Sequence, residues 1–314
     1  MQTILRTWAA VLIALGGCAA HAQSYPARNV TFISSVAGGV SEAFMRAVLD
    51  KVKENTGATL VFEPRPGAGG APALQAAKRA APDGYSYGIT YSSATTLNPL
   101  INKELDLDVF RDFVPVANLM GLAVGIVVRE DFPAKDIREL VAMSKAKPGQ
   151  YRIATFGAAN VLAMALLEER SGAKLQPVPY KTTADAAAAA MGGHIEGYFE
   201  TVPGMITYRG KLKPLVYFGP VRPAQLPGVA LSKELYDFDL MNWFGVVAPA
   251  GTPASAVSWM SRELIRAVRD PQVKEKLEGG GFIVLGNSAE EFARTLRTEL
   301  ETNREILRKN PDIR

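Results

Sequence analysis

Residues 30 to 57 read VTFISSVAGGVSEAFMRAVLDKVKENTG, and this stretch decides the fold. Four of its first five residues, 30 to 33, are apolar or β-branched, which predicts a buried strand over residues 30 to 34. A turn follows at Ala37-Gly38-Gly39. Apolar residues then recur every three or four positions, which predicts a helix from residue 41 to about residue 54, stopped by Gly57. A buried strand, a glycine turn and an amphipathic helix in this order predict an α/β architecture with largely parallel sheets.

The strand-and-helix alternation continues to the end of the chain. Two similar units follow one another, the second starting near residue 125, and a largely helical tail closes the sequence. Two α/β lobes in series favour a hinged cleft, with the carboxyl ends of both sheets facing a ligand. The further predicted strands span 60–62, 85–91, 125–128, 151–155, 175–179, 195–199, 215–218, 243–247 and 282–285, and the tail helices span 254–269 and 288–309.

Composition indicates a globular protein of about two domains. The chain has 314 residues, of which 48% are hydrophobic and 21% charged. The formal net charge is +4, but Lys and Arg are scattered among Asp and Glu along the whole chain. No basic stripe tracks a phosphate backbone, so nucleic acid is not an expected partner.

The N-terminus is typical of an exported protein. Arg6 precedes a short apolar run, residues 8 to 17, and Ala20-His21-Ala22 offers the small-residue pattern that signal peptidase prefers. We therefore expect residues 1–22 to be a signal peptide, a mature chain that begins at Gln23, and a periplasmic location. An alternative stays open, because residues 15 to 18 resemble a lipobox that would leave Cys18 as a lipidated N-terminus.

The few histidines and cysteines narrow the possible chemistry. Cleavage before Gln23 leaves His194 as the single histidine and removes the only cysteine. That inventory does not build a zinc site of the usual kind, and no metal or cofactor is expected. His194 lies in a glycine turn, and no Gly-x-Ser-x-Gly elbow accompanies it, which argues against a serine hydrolase. The sequence thus predicts a binding protein and not an enzyme.

Two loops are candidates for holding an anion. The first contains Ala37, Gly38, Gly39 and Ser41, and the second runs from residue 155 to residue 160. Glycines let backbone N–H groups approach a ligand, and a helix N-terminus favours negative charge. Ser41 either caps its helix or donates its hydroxyl outward. With one such loop in each lobe, the two loops are expected to bind a carboxylate from opposite sides of the cleft.

Other polar residues follow predicted strands. Ser92 and Thr95 belong to a hydroxyl-rich tract, residues 92 to 96, which either faces the cleft or forms a plain turn. Glu200 ends a strand and faces either the cleft or bulk water. Trp243 is interpreted as a core residue rather than a stacking partner for a ligand.

Short motifs along nearly the whole chain carry a family resemblance. Their order and spacing resemble the substrate-binding proteins of tripartite tricarboxylate transporters, often called Bug-type receptors. They include Tyr25-Pro26, Ala37-Gly38-Gly39, Arg65-Pro66-Gly67-Ala68-Gly69-Gly70, Pro82-Asp83-Gly84-Tyr85, Val178-Pro179-Tyr180-Lys181 and Ala248-Pro249-Ala250-Gly251-Thr252-Pro253.

The resemblance implies a type II-like periplasmic-binding-protein fold, with two α/β lobes that close around a small carboxylated solute. Residues 23–124 plus 248–314 form the first lobe, and residues 125–247 the second. It also implies that the two glycine loops hold one carboxylate. The expected solute is a di- or tricarboxylate, an aromatic acid or an amino-acid-like compound. A monomeric receptor would deliver it to membrane permease subunits, and a membrane sensor is the alternative partner.

The chain departs from the family pattern at the predicted site. The second loop reads Phe156, Gly157, Ala158, Ala159 and Asn160 after its threonine, with Ala159 and Asn160 in place of a glycine and a serine. Thr182 replaces a glycine, and Glu200 replaces an aspartate for which the resemblance implies a position facing the cleft. We therefore expect Glu200 to set selectivity by receiving a donor group of the solute.

Overall fold

The computed structural model describes residues 25–102, 104–156 and 158–310. The predicted signal peptide, with Cys18, lies outside the described residues. The strands are β1 (Val30–Ser34), β2 (Leu60–Pro64), β3 (Ser86–Tyr91), β4 (Phe113–Arg129), β5 (Arg152–Thr155), β6 (Gln176–Pro179), β7 (Gly197–Thr201), β8 (Leu212–Tyr217), β9 (Met241–Pro249) and β10 (Ile283–Asn287).

The helices are α1 (Gly39–Thr56), α2 (Ala71–Lys78), α3 (Asn98–Ile101), α4 (Val109–Asp112), α5 (Ile137–Ala146), α6 (Ala158–Ser171), α7 (Thr183–Met191), α8 (Val202–Thr207), α9 (Ser232–Tyr236), α10 (Ala254–Val268), α11 (Pro271–Gly279) and α12 (Ala289–Lys309). A π-helical segment, Ser93–Leu97, connects β3 to α3. Within the described residues, no helix has the length and apolar character that crossing a membrane requires.

The strands form two parallel groups joined by antiparallel strands. Their order is β2-β1-β3-β9-β4-β7-β5-β6, and β8 and β10 each pair with β4. β2, β1 and β3 run parallel to one another, as do β7, β5 and β6. The long strand β4 pairs with β9 over its first part and with β7 over its last part. The sheet thus has a first and a second half, with β4 continuous through both.

Helices cover both faces of each half, as the buried, apolar strands require. In the first half, Phe44 and Val48 of α1 pack with Leu264 of α10 in one core cluster. On the opposite face, Leu74 of α2 packs in a cluster with α12. In the second half, α5 and α6 share one core, and α7 and α8 share the other. This arrangement is the α/β fold that the sequence predicts.

Two features bear on the division into lobes, which stays a prediction. Residues 244–247 of β9 pair with β3, so this strand is hydrogen-bonded into the first half although the sequence division assigns it to the second lobe. Ile306, near the end of α12, packs with Leu140 and Leu167 in a core of the second half. The last helix therefore contacts both halves.

Candidate functional site

A cavity of about 860 Å³ lies between α6 and α12. Its floor consists of Leu122 and Val124 of β4 and residues 241–243 of β9, the strands that join the two halves. Residues 237–240 and the start of the π segment complete the wall. The volume lies within the range of about 300–1,000 Å³ that is usual for sites of small organic ligands.

The cavity brings together part of the predicted site. Ser92 and the second-loop residues Phe156, Ala159 and Asn160 lie on its wall. Ala37, Gly38, Ser41, Thr95, Thr182 and Glu200 are described by the structure but do not line this cavity. Gly39 and Ala158 begin α1 and α6, and Gly157 lies outside the described residues.

The second loop is closed by its own asparagine. The Oδ1 atom of Asn160 accepts the backbone N–H of Phe156 at 2.9 Å. This contact fixes the asparagine side chain at the first turn of α6 and leaves its Nδ2 group as a donor. Because Asn160 is half-buried on the cavity wall, that donor and the helix N-terminus are both suited to an anion.

The first loop contains the same kind of hydrogen bond from a backbone N–H to a side-chain oxygen, but the accepting side chain is charged. The Oε2 atom of Glu42 accepts the backbone N–H of Gly38 at 2.5 Å, and its Oε1 atom accepts Nε of Arg46 at 2.6 Å. The hydrogen bond from Gly38, followed by the one from Arg46, lowers the pKa of Glu42. One amide that the sequence offered to a ligand is therefore taken by the protein's own carboxylate. Ser41 does not cap α1, because that helix has no side-chain cap.

Thr95 and Thr182 have structural roles in this conformation. Thr95 is 1% exposed, and its hydroxyl bonds to the hydroxyl of Thr90 at 2.8 Å and to the Tyr91 carbonyl at 3.0 Å. Thr182 caps α7 by accepting the backbone N–H of Asp185 at 3.1 Å. Neither residue lines the cavity, so their contact with a solute stays a prediction.

Glu200 does not line the cavity either. It is 6% exposed, and its Oε1 atom accepts the backbone N–H and the hydroxyl of Thr201 at 2.7 and 3.0 Å. Its Oε2 atom accepts the hydroxyl of Tyr198 at 3.1 Å. The carboxylate is thus satisfied inside the second half of the sheet, and this structure gives it no contact with a solute site.

A different carboxylate, Glu299 of α12, lines the cavity. Its Oε1 atom accepts the hydroxyl of Ser92, and its Oε2 atom accepts Nε1–H of Trp243 at 2.5 Å. Burial raises the pKa of Glu299, and the hydrogen bonds from Ser92, Trp243 and Thr96 oppose that increase. Ser92 therefore lines the cavity, and its hydroxyl donates to a protein carboxylate.

Sequence reasoning missed Glu299, although α12 carries a signal. Phe292, Leu296 and Ile306 are buried along one stripe of this helix, at spacings of four and ten residues. Glu299 and Asn303 fall on the same stripe, three and seven positions after Leu296. A carboxylate among apolar positions of an amphipathic helix indicates a buried polar contact or a site.

A sequence model described as the tripartite tricarboxylate transporter family receptor matches residues 44–311. This range covers most of the chain, and the chain belongs to that family, a family of solute-binding receptors. The resemblance inferred from the short motifs is confirmed.

Individual relatives agree with this assignment. An uncharacterised-family protein (UPF0065) of Bordetella bronchiseptica is 30% identical over 302 residues, covering 94% of this chain and 88% of that protein. A TctC solute-binding protein from Polaromonas has a TM-score of 0.80 at 25% identity, covering 91% of this chain and 100% of the other. The periplasmic binding protein BugD has a TM-score of 0.70 at 27% identity, covering 91% and 98%.

More distant structures share the fold. MatC from Rhodopseudomonas palustris, with bound malate, has a TM-score of 0.71 at 23% identity, covering 90% of this chain and all of that one. An R. palustris protein with adipate has a TM-score of 0.74 at 21% identity, covering 90% and 97%. The predicted periplasmic-binding-protein fold is confirmed.

Proposed function

We propose that this protein is a periplasmic receptor that captures a carboxylated solute in the cavity between α6 and α12. It passes the solute to the permease subunits of a tripartite transporter and leaves it chemically unchanged. The observation that carries the proposal is the cavity of about 860 Å³ between the two halves, with the start of α6 on its wall. Membership of the receptor family, and relatives of the same fold that hold malate and adipate, support it.

The carboxylate binds at the start of α6. The Nδ2 group of Asn160 donates to it, and the N-terminal end of this helix adds favourable electrostatics. The two halves act as lobes, with β4 and β9 as the connection. Closing of the lobes brings the first loop, with Ala37, Gly38 and Ser41, towards the same solute. Gly39, Gly157 and Ala158 contribute backbone amides.

Export accompanies this role. Residues 1–22 act as a signal peptide, and the mature monomer begins at Gln23. The first lobe comprises residues 23–124 with the C-terminal part of the chain, and the pairing of β9 with β3 favours counting β9 with it. The intact mass of periplasmic protein tests the N-terminus, since lipidated Cys18 gives a larger mass than a chain that begins at Gln23.

A thermal-shift screen tests the binding function. The mature chain, purified and freed of bound solute, is melted with di- and tricarboxylates, aromatic acids and amino acids. A solute at a hundred times its Kd stabilises the folded state by about 2.7 kcal/mol, so a true ligand raises the Tm clearly. Mass spectrometry after prolonged incubation is expected to recover that ligand unaltered. If the compounds that raise the Tm all lack a carboxylate, the proposal is wrong.

A further inference from the structure

Among the charged side chains that line the cavity, Glu299 differs from the others in its exposure. The wall carries two arginines, Arg170 and Arg294, and four carboxylates, Asp237, Asp239, Glu291 and Glu299. All of these except Glu299 are exposed to solvent. Water screens the exposed charges, whereas Glu299 is only partly accessible to water and lines the cavity.

Glu299 has no cation of the protein as a partner in the described part of the chain. The groups that stabilise its charge are neutral donors, the hydroxyls of Ser92 and Thr96 and the indole N–H of Trp243. A buried carboxylate is costly without a positive partner, and burial does raise the pKa of this one. A carboxylate offers about four acceptor positions. The three protein donors leave about one acceptor position on this carboxylate, which lines the cavity.

Much of the cavity wall is apolar. Leu162 and Leu166 of α6 lie opposite α12, and Met241 belongs to the floor. A hydrocarbon segment of a solute is therefore favoured there over a second charged group. The cavity thus offers a donor for an anion at Asn160, apolar side chains on its wall and an acceptor at Glu299.

We propose that the solute carries a cationic nitrogen, an ammonium group, at the end opposite its carboxylate, and that Glu299 receives it. This inference rests on the proposed receptor function and names the class of solute as extended amino-carboxylates. Plain dicarboxylates are disfavoured, because their second carboxylate would face the carboxylate of Glu299.

Matched pairs of solutes test the inference. 6-Aminohexanoate and adipate share a six-carbon chain, and 4-aminobutanoate and succinate share a four-carbon chain. Within each pair, the two compounds differ only in one terminal group. Binding is followed by the fluorescence of Trp243 in a Trp259→Phe variant of the mature chain, where Trp243 is then the single tryptophan. Trp243 is a direct reporter, because its Nε1–H donates to Glu299. We expect at least one amino-carboxylate to bind about ten-fold or more tightly than its dicarboxylate partner, the effect of about one charged hydrogen bond.

The variant Glu299→Gln removes the charge and keeps the shape. It is expected to weaken the amino-carboxylate by about ten-fold or more and to leave or improve dicarboxylate binding. Glu301→Gln is the matched control, with the same change at an exposed position of α12. If Glu299→Gln does not fold, the relative affinities of the wild-type chain for the two members of each solute pair still test the inference.

The outcomes separate this inference from the function on which it rests. If wild type binds plain di- or tricarboxylates at least as tightly as every amino partner, the inference is overturned and the carboxylate receptor stands. Equal binding of an amino-carboxylate by wild type and by a folded Glu299→Gln variant also overturns it. If the wild-type chain binds no carboxylated compound of either kind, the proposed function fails and the inference fails with it.

Discussion

The two glycine loops contain the same local hydrogen bond, but the accepting side chain is charged in the first loop and neutral in the second. In each loop, a side-chain oxygen in the first turn of a helix accepts a hydrogen bond from the backbone N–H four residues earlier. Glu42 accepts it from Gly38, and Asn160 accepts it from Phe156. The first oxygen belongs to a carboxylate that is paired with Arg46, whereas the second belongs to a neutral amide. In the first loop, the carboxylate of Glu42 lies at the N-terminus of α1. In the second loop, no carboxylate of the first turn lies at the N-terminus of α6.

This difference assigns unequal roles to loops that look equivalent in the sequence. A helix N-terminus favours one negative charge, and in α1 Glu42 supplies it. In α6 no acidic residue lies in the first turn. The solute carboxylate is therefore expected to bind mainly at the second loop, with the first loop contributing after closure.

The largest effect is expected from Asn160→Asp, which makes the second loop resemble the first. Asp keeps the acceptor for Phe156 and adds a charge beside the solute carboxylate. We expect solute affinity to fall by about 100-fold or more, because like charges in a desolvated site cost several kcal/mol. Titration calorimetry measures the change. Asn102→Asp is the control, since Asn102 is exposed and its Oδ1 atom also accepts a backbone N–H. Equal affinity in Asn160→Asp and wild type would place the carboxylate elsewhere.

A smaller effect is expected from Ser41→Ala, which tests whether the first loop reaches the solute. Loss of one hydroxyl donor to a carboxylate weakens binding by about 1.5–3 kcal/mol. The Tm of the unliganded protein should hardly change, because Ser41 does not cap α1. Ser255→Ala, at an exposed serine near the start of α10, is the matched control. Binding of the solute to both variants as tightly as to wild type would exclude the Ser41 hydroxyl from the closed site.

The smallest effect is expected from Glu42→Gln, which makes the first loop resemble the second. The lowered folded-state pKa of Glu42 means that its charge stabilises the fold above the unfolded-state value of about 4.3. That contribution is lost as the pH falls through the folded-state pKa. We therefore expect wild type to melt above the variant at pH 7 and the difference to vanish in acid. Melting curves at several pH values check this, with Glu54→Gln as a control near the exposed end of α1. A difference that persists in acid would contradict it.

Local patterns predicted the elements that depend on neighbouring residues. The strand β1, the helix α1 and their glycine turn follow from apolar periodicity and from the backbone freedom of Gly38, whose φ is 74°. The exposed turn histidine was also predicted, and His194 is exposed after α7. The first part of β4 was missed, because its residues 113–124 gain their strand character from pairing with β9, which lies far along the chain.

The sequence by itself determined the succession of elements, the α/β class, the scarcity of histidine and cysteine, and, through motifs in fixed order, the receptor family. Those properties are local or additive along the chain. Only the tertiary structure decided which carboxylate faces the cavity. Glu200 ends a strand, as expected, but the neighbouring Thr201 and Tyr198 satisfy it. Glu299 reaches Ser92, 207 residues earlier, because α12 returns across the first half of the sheet. The apolar stripe of α12 indicates that Glu299 makes a buried contact, but its partner 207 residues earlier depends on topology and packing, which no local pattern encodes.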